Sequence, residues 1–138
     1  MAPTQCIELI VDADHFFRIS EVQRFADGSG FMGRISLRSG SFALHGHRFY
    51  FDGLERFVGE VRHVYDTLSG RAELRAEYER NHLALVATPL GHVNVSGHFE
   101  FFDGESQRLE FGFSTDQTFL PPLIHSLNAV CRELRAET

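Results

Sequence analysis

Two stretches of this chain repeat their apolar residues at helical spacing, and most of the remainder alternates apolar with polar residues. A chain patterned this way must combine two amphipathic helices with a larger set of half-buried strands. In the first stretch Leu54, Phe57, Val58, Val61, Val64 or Tyr65, and Leu68 share one stripe. Asp52, three residues before Glu55, fits an acidic version of the capping box, and Gly70 supplies a left-handed stop. In the second, Leu120, Leu123, Ile124, Leu127, Val130 or Cys131, and Leu134 recur with the same spacing. Pro121 and Pro122 mark its first turn, where a missing N–H costs no intrahelical bond. The spacing predicts a helix over 118–134.

The alternating runs predict strands joined by tight turns. Phe31 to Leu37 turns at Ser39-Gly40 into Phe42 and Leu44, which alternate with Ala43, His45 and His47. Leu74 and Ala76 lead through a turn near Arg80-Asn81 into Leu83–Val86. Val93, Val95, Gly97, Phe99 and Phe101 oppose His92, Asn94, Ser96, His98 and Glu100, and Asp103-Gly104 turns the chain into Leu109, Phe111 and Phe113. Shorter strands are expected over Cys6–Val11 and Phe16–Val22. Parallel pairing would need a crossover helix between each pair of strands, so the expected fold is α+β. It is a mostly antiparallel sheet of about seven or eight strands with two amphipathic helices packed on one face, in the order strands, helix, strands, helix. The 138 residues suit a single domain, 1–138, whose halves, about 1–70 and 71–138, have the look of a duplicated unit.

Composition removes several classes of chemistry. All 13 basic residues are arginine, so Schiff-base, Walker-type and lysine-base mechanisms have no residue to use. Against 19 carboxylates the net charge is -6, and no run of basic residues offers a path for nucleic acid or an anionic membrane. The N-terminus lacks the features of a secretory signal and no apolar run is long enough to span a bilayer, so a cytoplasmic location is expected. Cys6 and Cys131 have no metal or redox spacing and read as small buried apolar residues.

No catalytic constellation and no cofactor motif is present. Gly-x-Ser-x-Gly is missing, and Gly28-Ser29-Gly30 opens a strand, not a phosphate-binding helix. Asp116 and His125 are the only pair offered as an enzyme's base and partner, and Asp116 suits helix entry as well. His45 and His47, two apart on a strand, could share a face and be joined by His92 and His98 in a metal or small-molecule site. Carboxylates offer a different surface. Glu73, Glu77 and Glu79 along one strand edge, and Glu100, Asp103 and Glu105 at a turn, would complement a cationic protein partner. An open sheet face or edge strand also leaves room for a homodimer.

The segments Phe57-Val58-Gly59-Glu60, Tyr65 through Leu74, Gly91-His92-Val93-Asn94-Val95-Ser96-Gly97, and Arg108 through Thr118 followed by Leu120-Pro121 resemble the WapI-type immunity proteins and related uncharacterised bacterial domains. The likeness runs from about Phe31 to Leu134, and Thr115-Asp116-Gln117-Thr118 with Leu120-Pro121 is its most specific part. The resemblance implies a small cytosolic antidote that binds and neutralises a cognate bacterial toxin domain, often a basic nuclease acting on RNA. Such an inhibitor needs no catalytic residue, no metal and no cofactor. Members diverge most where they touch their toxins, so the motifs transfer no contact residue to this chain.

Overall fold

The computed structural model describes residues 5–76 and 80–136. Among these residues eight strands and two α-helices follow in the expected order: β1 (Ile7–Asp12), β2 (His15–Arg24), β3 (Phe31–Ser39), β4 (Phe42–Phe51), α1 (Leu54–Thr67), β5 (Arg71–Arg75), β6 (His82–Thr88), β7 (His92–Asp103), β8 (Glu105–Asp116) and α2 (Leu120–Ala136). All pairings are antiparallel. The strands form two sheets of four, β1-β2-β3-β4 and β5-β6-β7-β8, where a single sheet was expected. The chain leaves the first sheet through α1 and only then starts β5. At that junction the Asp52 N–H donates to the Arg75 carbonyl at 3.4 Å.

Each sheet is followed in sequence by a helix that packs on the first strand of the other sheet, α1 on β5 and α2 on β1, while the helices also touch each other. The buried stripe is the one that the periodicity predicts: Leu54, Phe57, Val61 and Val64 on α1, and Leu120, Leu123, Leu127, Val130 and Leu134 on α2. These side chains join both sheets in one apolar cluster. Aromatic rings tie the sheets together directly, with Phe49 of β4 edge-on to Phe99 of β7 at 5.1 Å between centroids. No helix among the described residues is long and apolar enough to cross a membrane.

The helix ends differ from expectation. Gly53, in the left-handed region at φ 64°, takes the N-cap position of α1 with no side-chain cap bond, so the expected Asp52 capping box does not form. The stop is Leu68, also left-handed, whose N–H donates to the Val64 carbonyl at 2.8 Å. Gly70 is left-handed as well, two residues further on. At the second helix a short 3-10 turn, Gln117–Phe119, comes first, and the Asp116 carboxylate accepts from the Thr118 N–H. Hydrogen bonds from the Thr118 hydroxyl and N–H hold the Asp116 carboxyl below its ordinary 3.8. This residue is a cap.

Thr115 has a buried hydroxyl with no hydrogen-bond partner among the described residues. An unmet buried hydroxyl costs its desolvation, whereas valine fills nearly the same volume without it. Thr115→Val is expected to stabilise the protein by about 1 kcal/mol, read as a higher midpoint in urea with an unchanged slope.

Candidate functional site

The four candidate histidines, His45, His47, His92 and His98, do not converge on one site. In β4 the partner of Ile35 is His47 and the partner of Leu37 is Leu44, so Ser36 alone faces both His45 and Gly46. This is a β-bulge, made possible by Gly46 at φ 58°. The Ser36 hydroxyl accepts from the Gly46 N–H at 2.9 Å and the Arg34 guanidinium donates to the Gly46 carbonyl at 3.0 Å, so the interrupted ladder keeps its hydrogen bonds. A bulge shifts the alternation by one residue. His45 is exposed, while His47 is half-buried and lies against Phe101, with ring centroids 5.0 Å apart, and near Phe99. The expected shared face of His45 and His47 is therefore absent. His92 is exposed at the start of β7, and His98, nearly buried, sits six residues along the same strand. Among the described residues no group of three or more His, Cys, Asp or Glu is placed to hold a metal ion.

Asp116 and His125 are not brought together either. His125 lines a groove between the helices with Arg62, Tyr65, Asp66, Pro121, Ile124 and Asn128, and Asp116 takes no part in it. Cys6 and Cys131 are free thiols, and burial pushes both upward from their ordinary value, opposite to what a reactive thiolate needs.

The carboxylates give a more ordered picture. Arg75, His82, His98 and Glu110 lie in register across all four strands of the second sheet and share its outer face. His82 and His98 stack at 6.3 Å. One ring nitrogen of His98 lies 3.2 Å from Glu110 Oε1 and the other 3.1 Å from Glu100 Oε2. The imidazole thus fixes two carboxylates of the β7–β8 hairpin at its base. The buried Asn81 adds a second tie, accepting from the Glu100 N–H at 2.9 Å.

Glu73 belongs to a separate arrangement. Its carboxylate meets Arg71 at 2.7 Å and Arg75 at 3.7 Å. Burial raises this carboxyl, but the Arg71 hydrogen bond and the charges of Arg71 and Arg75 more than offset that and leave it below its ordinary 4.5. With two arginines beside it, Glu73 presents little unbalanced charge. Glu77 and Glu79 lie outside the described residues.

Past His98 the hairpin runs beyond the sheet. β7 and β8 have 12 residues each, β6 has 7, and the β6 pairing ends at His82 with His98. Phe99 to Asp103 therefore pair only with β8, through to Asp103 opposite Glu105 around Gly104 at φ 73°. On the inner face of this overhang Phe101 rests on His47. On the outer face Phe102 points into solvent, 78% exposed, opposite Ser106. Asp103 and Glu105 have no ion pair among the described residues, whereas Glu73 pairs with Arg71 and Glu100 shares a hydrogen bond with His98. Phe101 and Phe102 were missed from the sequence because an apolar alternation through Phe101 reads as core. The available signal was the length of that alternation, longer than the preceding strand could pair.

The molecule thus combines two four-stranded sheets and two helices with a hairpin tip that carries Asp103 and Glu105 and exposes Phe102. Its sequence matches the model of the Immunity protein WapI-like family over residues 5–135, and the chain belongs to that family. No curated protein and no solved structure matches it.

Proposed function

We propose that this protein is a non-catalytic immunity protein that acts in the cytoplasm by binding and neutralising one bacterial toxin domain with a basic contact surface, such as a nuclease. The membership of residues 5–135 in an immunity family carries this reading. The net charge of -6 supports a basic partner, because opposite charges steer the encounter and raise the association rate. Of the six carboxylates singled out in the sequence, Asp103 and Glu105 are engaged in no ion pair among the described residues, with Glu100 held beside them by His98. Glu73, whose charge Arg71 and Arg75 balance, plays the part of a rim. The four histidines named for a metal or small-molecule function, His45, His47, His92 and His98, do not meet at one site, and no group of three or more metal-ligating side chains forms among the described residues.

The test is co-purification with the toxin domain encoded beside this gene. A 1:1 complex that survives size-exclusion chromatography and whose association slows as salt rises is expected. Two separate peaks at micromolar concentration contradict the reading.

A further inference from the structure

We propose that the overhanging tip of the β7–β8 hairpin anchors the partner, with Phe102 entering an apolar recess and Asp103 and Glu105 facing basic residues on the rim of that recess. The inference rests on the immunity reading and adds the surface and the chemistry of the contact.

Phe102 lies outside the apolar core of the described residues. It is 78% exposed and stands opposite Ser106 on a ribbon that β6 no longer reaches. Turning the chain requires Gly104, not an aromatic residue two positions earlier. A solvent-facing ring at a projecting tip offers a large apolar area with few rotatable bonds, the profile of residues that dominate protein interfaces. Phe101, 42% exposed and backed by His47, widens the apolar surface at the base of the tip.

The occupant follows from charge. Between residues 100 and 108 stand three carboxylates, Glu100, Asp103 and Glu105, and one cation, Arg108. That excess repels nucleic-acid phosphates, anionic lipid and the same tip of a second copy, and it suits a cationic protein surface. The hairpin is also prepared for the encounter. His98 and Asn81 fix Glu100 at its root and His47 supports Phe101, so less ordering remains to be done on binding.

The experiment measures affinity and association rate for the adjoining gene's toxin domain, purified in an inactivated form, against the wild-type protein and three variants. Phe102→Ser is expected to weaken binding about 30-fold or more with an unchanged melting temperature. The double variant Asp103→Asn with Glu105→Gln is expected to slow association and flatten its salt dependence. Leu90→Asn, at the opposite end of β7 and compatible with the left-handed backbone there, is expected to bind as wild type does. Wild-type binding that Phe102→Ser leaves unaltered overturns the anchor and spares the immunity reading. Failure of the wild-type protein itself to bind overturns both.

Discussion

Phe99→Ala is expected to destabilise the protein by about 4 kcal/mol, the largest effect of any single substitution considered. Phe99 is buried on β7 where the two sheets meet. Its ring is edge-on to Phe49 at 5.1 Å, lies 6.4 Å from Phe111 and receives the edge of His47 at 6.5 Å. Truncation removes the transfer energy of the ring and leaves a cavity between sheets that are held apart by other side chains, so collapse is incomplete. Aromatic geometry adds roughly 0.5–1.5 kcal/mol per pair beyond buried area. Since β4 and β7 belong to different sheets, the loss falls on the contact that joins them, and Phe49→Ala should be strongly non-additive with it. A double-mutant cycle in urea checks both statements: a coupling near zero would mean that the two rings do not act as one contact.

Gly97→Ala is expected to cost about 3 kcal/mol, or roughly 10 °C in melting temperature for a chain of this size. Gly97 is paired with Phe111, whose ring lies over it. A Cβ at residue 97 would stand 2.6 Å from the Phe111 ring and 2.7 Å from the His82 carbonyl oxygen. The ring could rotate away, but the carbonyl is part of the β6–β7 ladder and cannot move without widening the strands. Thermal unfolding of the variant decides the matter, and a shift under two degrees would show that the ladder gives way cheaply. The double variant Gly97→Ala with Phe111→Ala should recover only part of the loss, because the backbone clash remains.

Much of the fold was legible because its signals are local. The stripes through Phe57 and Val61, and through Leu123 and Leu127, need only a 3.6-residue period, and both proved to be the buried faces. The alternation of Val93, Val95, Gly97 and Phe99 likewise predicted the inner face of β7. What escaped depends on the neighbours. A single glycine in His45-Gly46-His47 shifts β4 by one residue, and only the facing Ser36 reveals it. The division into two sheets follows from where the helices pack, which no window of sequence contains. Of the candidate site, the charges of Glu100, Asp103 and Glu105 could be named from a turn, but their unequal availability could not. His98 ties up the first, and Arg71 with Arg75 surrounds Glu73 far from the tip. Phe102 became visible only once the unequal lengths of β6 and β7 placed it beyond the sheet.

These features describe a scaffold held by the aromatic junction and by helices that each pack on the other sheet, with Phe102 at the hairpin tip outside the core. Interface residues that carry no share of the folding energy can change without unfolding the molecule. Proteins that must match one partner among many variants gain from that separation, since specificity is set by differences in affinity.

The most direct measurement is rescue of growth. The toxin domain that the proposed function expects beside this gene is induced in cells that also express this protein, and viable counts are compared with cells carrying the toxin domain alone. Neutralisation predicts survival at the level of uninduced cells. Undiminished killing, with this protein folded and in excess over the toxin domain, would contradict the account.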